Sequence, residues 1–388
     1  MNTRSSESIR ILQLPYDYAG QASLLRDEFI TQGHHSELWT FSSHPYYRKP
    51  DRVIFPNATN RIQKFVSLLS AASYVFGKWD VVLYNGGSSL FSPRMLVPDT
   101  QPSASVLRVI ANIVMGTLQR LELLLLRSRG VKLFMIYQGD DLRQGDRSLD
   151  LFHVSAASEV ATDYYSKTSD KHKRRQANLF SKFTEKIYLV NPDLFNFYQG
   201  PASFLPSISR QEIISPTTLI TGPKRTRVLK VLHAPSHRDG KGTKYVIAAI
   251  DSLRERGFDV ELQLVEGMTN SDALRAYSEA DLVIDQLLSG WYGVLAVECM
   301  SMGKPVMAFI RECDLEFIPK AMERDLPIIR TSKGTLEADL ESVINLGQVA
   351  LHEVGLASSK FVEEWHNPTS VALKLVDDFL DDRGVNLH

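Results

Sequence analysis

The chain contains 388 residues, of which 44% are hydrophobic and 23% are charged, and its formal net charge is -1. Because single cores rarely grow beyond about 250 to 300 residues, this length predicts two domains of ordinary size. The balanced charge excludes a general electrostatic attraction to nucleic acid or to an anionic membrane, and the two cysteines, Cys299 and Cys313, are too few for a disulfide framework or a four-ligand zinc site.

The first half of the chain alternates short apolar runs with helical patterns. The runs that predict strands lie at residues 9–14, 37–41, 81–85, 132–138 and 186–190. Helical patterns lie between them at residues 24–31, 61–75 and 106–126. This alternation predicts a parallel sheet whose ligand-binding edge carries the loops at residues 16–21, 86–89 and 139–143.

Two adjacent carboxylates, Asp140 and Asp141, follow the strand that ends at Gln138. At the ligand edge of a sheet, one of them could orient an acceptor hydroxyl or accept its proton. Aspartate after glycine is also common in turns and at helix N-caps, so both interpretations stay open. Gly20 and Gln21 lie in another loop of the same edge.

The segment at residues 106–126 is the most apolar of the chain, but Arg108, Arg120 and Glu122 interrupt it. It therefore falls short of a bilayer span of about twenty unbroken apolar residues. We interpret it as a buried core helix, with a face that lies against a membrane surface as the alternative. The densest positive run, KTSDKHKRR at residues 167–175, favours a solvated helix face over docking to an anionic surface or acceptor.

A stretch rich in Ser, Thr and Pro at residues 206–224 is the predicted interdomain linker. The alternation then restarts, with predicted strands at residues 228–233, 260–265 and 281–288. We expect an N-terminal domain at residues 1–205 and a C-terminal domain at residues 225–364. A last helical segment at residues 365–388 completes the chain.

The loop HAPSHRDGKGT at residues 233–243 follows a strand and opens a helix. It places Arg238 and Lys241 beside Gly240 and Gly242. The glycines let a ligand approach the backbone closely and the side chains supply positive charge, a combination that suits a diphosphate. A plain turn at a helix start is the alternative. The GxxxxGK[ST] spacing of a P-loop is absent, which argues against ordinary ATP hydrolysis.

Residues 281–308, DLVIDQLLSGWYGVLAVECMSMGKPVMA, predict a strand, a loop, a helix from Gly293 and another strand. Glu298 is the only charged residue between Trp291 and Gly303. Its neighbours on the helix are apolar, and burying an unpaired carboxylate would cost several kcal/mol, so a ligand hydroxyl pair could satisfy it. The alternative is a glutamate that reaches solvent. The helix N-terminus at Gly293 offers amides and a positive dipole for phosphate.

Several other kinds of site have no support in the sequence. The histidines do not form the HExxH arrangement of a zinc protease, and a GxSxG nucleophile elbow is missing. No metal site is therefore predicted. The polar N-terminus predicts no secretory signal, so we expect a cytoplasmic protein, with a peripheral contact at the inner face of the membrane as an additional hypothesis.

The motif YGVLAVECMSMGKPV, together with the KG loop, resembles the retaining GT-B glycosyltransferases of the family 4 type, and the resemblance extends loosely over nearly the whole chain. It implies an α/β protein of two doubly wound, Rossmann-like domains with a cleft between them. The C-terminal FVEEWHNPTSVALKLVDDFL is similar to the closing helix of these enzymes, which crosses back onto the first domain. The run DQLLSGWYG resembles a variant found in bacterial surface-polysaccharide transferases.

The resemblance also implies roles for individual residues. Glu298 would bind the ribose, amides near Gly293 the donor phosphate, and Lys241 the diphosphate. The remaining candidates at the donor are Tyr292, Val294, Asp285 and Gly242. Asp141, Arg238 and Lys241 are the candidates for catalysis, and Gly20, Gln21, Gln138 and Asp140 lie on the acceptor side.

The chain departs from the family pattern at three positions. The first glutamate of the family motif falls on Gly290, and Asp285 is the candidate to replace its contact with the donor sugar. The usual arginine falls on Ser236, and Arg238 is its candidate replacement. The histidine of a His-Gly-x-Asp element is Gln138, although Asp141 is kept.

The implied activity is transfer of a sugar from a nucleotide-diphosphate donor to a carbohydrate or lipid-linked acceptor. The resemblance implies retention, no obligatory metal and no cofactor besides the donor itself. A nucleotide-sugar epimerase and a non-catalytic nucleotide-sugar-binding partner are the alternatives. Nucleic-acid binding is not expected, because the basic residues concentrate in one run without interleaved aromatics.

Overall fold

The computed structural model describes residues 8–43, 48–93, 105–161, 163–209 and 228–381. Within these residues the chain forms one sheet of seven strands and one of five, and helices pack against both. The central strands pair in parallel, as the βαβ alternation requires. The predicted α/β class is confirmed.

The first sheet spans the N-terminal half of the chain. Its strands are β1 (Arg10–Leu14), β2 (His35–Thr40), β3 (Arg52–Val53), β4 (Val81–Asn85), β5 (Lys132–Tyr137), β6 (Lys186–Leu189) and β7 (Ser203–Phe204). Its helices are α1 (Gln21–Thr31), α2 (Arg61–Val75), α3 (Ser105–Ser128), α4 (Gly145–Leu151) and α5 (Lys167–Phe180). The spatial order is β3-β2-β1-β4-β5-β6-β7. Because the order reverses between β1 and β4, a crevice opens at their carboxyl ends.

The first sheet is covered on both faces, which explains why its central strands are continuously apolar. Helices α2, α3 and α5 cover one face, where Leu68, Leu123 and Phe180 belong to the core. Helix α1 covers the other face through Leu25 and Phe29. The loops at the strand ends remain free of this packing and are available to line a site.

Helix α3 is a core helix on one side only. Met115, Leu123 and Leu126 are buried in the core. Eight large apolar side chains on its other side are exposed. The prediction of a buried core helix is therefore wrong for the outer side, because a helix that is apolar all round does not reveal which side a neighbour covers.

The second sheet begins after residue 227. Its strands are β8 (Leu229–His233), β9 (Val260–Leu264), β10 (Leu282–Ile284), β11 (Val306–Ala308) and β12 (Ile329–Arg330), in the order β12-β11-β10-β8-β9. Its helices are α6 (Arg238–Lys241), α7 (Thr243–Glu255), α8 (Asn270–Glu279), α9 (Val294–Ser301), α10 (Lys320–Asp325) and α11 (Leu336–Trp365). Strand β10 is shorter than predicted because the next two side chains bond within the following loop: Asp285 accepts the Gly293 N–H, and Gln286 donates to the Trp291 carbonyl.

The C-terminal helices join the two halves. Helix α11 changes direction at Gly347, whose φ of 82° is left-handed. Helix α12 (Pro368–Leu380), capped by Asn367, then packs against the first sheet. There the ring of Phe379 lies 4.6 Å from that of Phe134. Most of the predicted linker at residues 206–224 lies outside the described residues.

Candidate functional site

A cleft of about 590 Å³ lies between the carboxyl ends of the two sheets. The first domain contributes the loops after β1, β4 and β5 and one side of α5. The second domain contributes the loop after β8 and the loop between β10 and α9. The site candidates that line it are Gln138, Asp140, Asp141, Lys241, Gly293 and Val294.

Asp141 holds the turn that follows β5. Its carboxylate accepts the Gln138 N–H at 2.9 Å and the Gly139 N–H at 2.6 Å. Burial raises the pKa of Asp141, and these two backbone donors oppose that rise. Of the two interpretations left open by the sequence, the geometry supports turn chemistry for Asp141, although the residue still borders the cleft.

Asp140 is the better placed carboxylate. The hydroxyls of Tyr164 and Tyr165 donate to it at 2.7 and 2.6 Å, and the Arg143 guanidinium lies 3.5 Å away. Burial alone would raise the pKa of Asp140, but Arg143 and the two hydroxyls outweigh it and lower the pKa. Asp140 is therefore a fixed negative charge at neutral pH, suited to accept a hydrogen bond from an acceptor hydroxyl.

Arg143 holds the first-domain wall of the cleft, which carries Asp140, in place. It makes a two-point ion pair with the buried Asp193, at 2.6 Å from Nε and 3.0 Å from the terminal nitrogen. Burial would lower the pKa of Arg143, but Asp193 and then Asp140 raise it, so the guanidinium stays charged. Sequence reasoning placed Arg143 in a loop of the ligand-binding edge without giving it a role, and it missed Tyr164 and Tyr165, because neither tyrosine belongs to a periodic pattern or motif.

The basic helix α5 divides its charges between two sides. Lys173 turns toward the cleft, where its ammonium donates to the Arg143 carbonyl at 2.5 Å. Burial lowers the pKa of Lys173, and Asp140 partly restores it. Lys171 and Arg175 face away from the cleft and are exposed. The favoured prediction of one solvated face is wrong for Lys173.

Lys241 is the cation of the opposite wall. Its ammonium donates to the Gln286 side-chain oxygen at 2.5 Å and lies 3.5 Å from the carboxylate of Asp285. Asp285 is buried and also accepts the Gly293 N–H. A Cβ placed on Gly293 would lie only 3.2 Å from the Lys241 nitrogen. The ammonium and the N-terminus of α9 thus converge on one point, which is an arrangement that binds anions.

The loop that carries Lys241 is shaped by two residues. His237 caps the one-turn helix α6 by accepting the Gly240 N–H at 3.0 Å. Gly242, with a φ of 80°, links α6 to α7, and a Cβ there would lie 3.2 Å from that of Leu287. Gly242 therefore packs on the side of the loop that faces Leu287, and Gly240 and Lys241 line the cleft instead.

Arg238 and Glu298 do not line the cleft. Arg238 pairs with Glu266 at 2.8 Å, and its side chain is 56% exposed. Glu298 is half-buried in α9, where its carbonyl accepts the Ser301 hydroxyl at 2.6 Å. The predicted catalytic role of Arg238 therefore requires its release from Glu266, and the ribose role of Glu298 stays a prediction.

Three further candidates serve contacts within the protein. The Gln21 amide donates to the Ile208 carbonyl at 2.9 Å and accepts the Ile208 N–H at 2.7 Å. The buried Tyr292 hydroxyl lies 2.8 Å from the His366 ring. Gly20 is buried at the start of α1 with a φ of 72°, and its neighbour Ala19 borders the cleft instead.

The position of the missing motif glutamate is filled by another side chain. Gly290 has a φ of 78°, and a Cβ there would lie 2.5 Å from a terminal nitrogen of Arg311. Arg311 pairs with Asp314 at 2.8 Å, donates to the Val154 carbonyl at 3.0 Å and lies over the Phe152 ring. The space that a side chain would use at position 290 is therefore occupied by a cation that contacts the first domain.

Glu159 makes a second bridge between the domains. It accepts hydrogen bonds from Lys244 at 2.7 Å, Lys333 at 2.6 Å and the Tyr245 hydroxyl at 2.8 Å. Burial would raise the pKa of Glu159, but these three donors lower it to about 2. The rings of Tyr164 and His237 meet across the cleft at 5.0 Å. These contacts hold the two walls facing each other.

Comparisons with known proteins give the fold a name. No family model matches the chain, and no curated protein matches it in sequence. Among solved structures it is similar to a sucrose-phosphate synthase from Thermosynechococcus elongatus, at 12% identity and a TM-score of 0.55, over 96% of this chain and 98% of that one.

Two further structures agree over a similar extent. A glycosyltransferase from Rickettsia africae matches at 12% identity and a TM-score of 0.56, over 96% of this chain and 98% of that one. The catalytic domain of starch synthase IV from Arabidopsis thaliana, bound to ADP and acarbose, matches at 10% identity and a TM-score of 0.57, over 98% and 100% of the two chains. The chain therefore has the predicted two-domain GT-B fold.

Proposed function

We propose that the protein transfers a sugar from a nucleotide-diphosphate donor to an acceptor held on the first domain. The observation that carries this proposal is the meeting of Lys241 and the N-terminus of α9 in a cleft opposite the charged Asp140. One wall offers a seat for phosphate, and the other offers an acceptor for a hydroxyl proton or hydrogen bond.

The donor diphosphate would lie against Lys241 and the amide of Val294. A departing diphosphate gains negative charge, and a fixed ammonium with a helix N-terminus stabilises that charge without metal. The buried Asp285 and Gln286 keep the ammonium in place before a donor arrives. Glu298 is proposed to bind the ribose. The bound ADP of the starch synthase supports a nucleotide donor.

The acceptor would lie on the side of Asp140, Gln138 and Lys173. Because the pKa of Asp140 is lowered, its carboxylate can orient a hydroxyl at neutral pH but is not a proton donor there. We propose a carbohydrate or lipid-linked acceptor, retention at the transferred sugar, no obligatory metal and a cytoplasmic location. Among the described residues, no cluster of three or more His, Cys, Asp or Glu side chains could hold a metal.

A thermal-shift panel of UDP, GDP, ADP and dTDP sugars tests the donor site. A ligand at a hundred times its dissociation constant stabilises the folded protein by about 2.7 kcal/mol, which gives a clear rise in melting temperature. Lys241→Ala should abolish the rise, and Arg275→Ala, at an exposed side chain of the second domain, is the matched control. The proposal fails if no nucleotide sugar shifts the protein or if Lys241→Ala responds as the parent does.

A non-catalytic nucleotide-sugar-binding protein is the second candidate. The observation that favours it is the guanidinium of Arg311 lying beside Gly290, at the position where the family's first motif glutamate would stand. Donor binding without turnover, measured with a panel of sugar and glycolipid acceptors, would select this candidate. Release of free nucleotide that depends on an added acceptor would reject it.

A further inference from the structure

The outer side of α3 forms an apolar stripe. Its residues are separated by one, three or seven positions in the i, i+3, i+4, i+7 pattern, so they lie along one side of the helix. The exposed members are Val106, Val109, Ile110, Ile113, Val114, Leu121, Leu124 and Leu125. Ile113 is 63% exposed and Leu124 is 52% exposed. Soluble monomers rarely leave a contiguous patch of this kind uncovered, so the stripe indicates an interaction surface.

Contacts on the inner side of α3 hold the helix in the first domain, which argues against a helix that crosses a membrane. Among the described residues, the stretch Arg108–Ser128 is long and apolar enough to span a bilayer. However, the buried Glu122 accepts hydrogen bonds from the Tyr84 and Ser89 hydroxyls at 2.9 and 2.8 Å. It also accepts the Leu90 and Phe91 amides at 3.1 and 3.0 Å. Removing α3 from the domain would leave these groups buried without partners.

A basic groove runs beside the stripe. This groove, of about 890 Å³, lies between α3 and α5, and its cations are Arg120, Lys171, Arg175 and Lys182. Its apolar wall includes Val109 and Ile113, and no Asp or Glu is among its described lining residues. Each Lys or Arg near an anionic bilayer contributes about 1 kcal/mol of attraction. The positive groove therefore favours an anionic partner over a second apolar protein surface.

We propose that the apolar stripe of α3 and the basic groove together dock onto the surface of an anionic phospholipid bilayer. The stripe would lie among the acyl chains near the headgroups, and Lys171, Arg175 and Lys182 would contact the lipid phosphates. The overall charge of -1 does not oppose this docking, because the cations are gathered on one face. The protein would then be peripheral to the membrane.

Helix α5 connects this surface to the cleft. His172 and Gln176 line both the basic groove and the cleft. A docked protein therefore presents the acceptor side of the cleft to the bilayer. In a step that rests on the proposed function, an acceptor with a lipid tail would keep its tail in the membrane and its sugar or phosphate in the cleft.

Vesicle sedimentation of the full chain tests the docking. Binding is expected to vesicles of phosphatidylcholine mixed with phosphatidylglycerol, and to weaken as salt is raised. Ile113→Ser with Leu124→Ser should weaken it by about tenfold or more, since each side chain loses apolar burial. Lys171→Glu with Arg175→Glu should weaken it by at least roughly thirtyfold, since two attractions of about 1 kcal/mol are lost and two repulsions are added, and should remove the preference for anionic lipid.

Matched controls lie on the second domain. Leu346→Ser removes a side chain that is 66% exposed, and Arg275→Glu reverses an exposed charge, so neither should alter vesicle binding. Failure of the parent protein to bind, or equal binding to neutral vesicles, overturns the proposal. Self-association without vesicles that Ile113→Ser and Leu124→Ser abolish would also overturn it, in favour of a second copy. The nucleotide-sugar shift, measured without lipid, reports separately on the proposed function.

Discussion

The two walls of the cleft satisfy their charges in different ways. The first wall surrounds Asp140 with Arg143 from its own loop and with Tyr164 and Tyr165 from a second segment of the same domain. In the second wall, the partners of Lys241 among the described residues are Gln286 and Asp285, two residues of one loop. A crowded carboxylate keeps its charge and place, whereas a cation with few partners can exchange one of them for a phosphate. The first wall is therefore a fixed frame, and the second is the exchangeable donor seat.

The largest expected effect comes from removing the anchor of the first wall. Arg143→Ala leaves Asp193, which is 2% exposed, as a buried carboxylate without its ion pair. Breaking such a pair costs about 3 to 5 kcal/mol of the free energy of unfolding, measurable by urea denaturation. Arg174→Ala breaks an ion pair whose side chains are nearly half exposed, and it should cost less than about 1 kcal/mol. Equal losses in the two variants would show that the first wall is not a fixed frame.

The second expected effect concerns the space beside the donor seat. Gly290→Ala places a methyl group against Arg311 at a residue whose φ is left-handed. It should therefore lower the free energy of unfolding by more than the backbone strain of a left-handed alanine alone. Gly257→Ala is the matched control, because Gly257 has a φ of 87° with nothing within 4 Å of a Cβ. The free energy of unfolding of the control should fall by about 1 to 2 kcal/mol, the cost of the left-handed backbone. If both variants lose the same, Arg311 does not fill the position as described.

A third prediction concerns the bridge between the walls. The pKa of Glu159, about 2, is below its ordinary value of 4.5, so the charged form is favoured in the folded protein. Its stabilisation is fully present above the ordinary value and is lost as the pH falls toward about 2. The stability difference between the parent and Glu159→Gln should therefore shrink as the pH falls below about 4.5, in urea unfolding at several pH values. Glu363→Gln, at an exposed position of α11, is the control for loss of a surface carboxylate.

The smallest expected effect tests the crowding around Asp140. Tyr165→Phe removes one hydrogen-bond donor to the carboxylate. It should lower the free energy of unfolding by about 1 kcal/mol and raise the pKa of Asp140. Tyr164→Phe, at a more exposed ring, should act in the same direction and more weakly. An NMR titration of the Asp140 carboxyl would measure both changes. An unchanged pKa in Tyr165→Phe would contradict the hydrogen-bond network.

The sequence predicts the framework of the cleft better than the direction of its side chains. Strands β1, β4, β5 and β8 follow from apolar runs, and the helix after Gly293 follows from its flanking glycines. Arg238 and Lys241 lie close to Gly240 in sequence, yet of these two only Lys241 lines the cleft. Arg238 is turned outward by its ion pair with Glu266, whereas Lys241 is held by Gln286, and both partners lie on distant segments of the chain. Local sequence does not record such partners.

The partners of Asp140 show the same limit more strongly. Tyr164 and Tyr165 precede α5 in an irregular segment without hydrophobic periodicity. Their hydroxyls reach Asp140 only because tertiary packing brings that segment over the end of β5. Likewise, the apolar composition of α3 predicts a helix, but whether a neighbour covers its outer side depends on the assembled domain.

The return of α12 to the first sheet has a consequence for synthesis of the chain. Leu375, Val376 and Phe379 complete the core beside Phe29 and Phe134, although they are made after the entire second domain. During translation, that face of the first sheet is covered only in part, by α1, until α12 leaves the ribosome. The first domain therefore finishes folding last, and a chain that stops before residue 368 would expose a sheet whose own strands are all present.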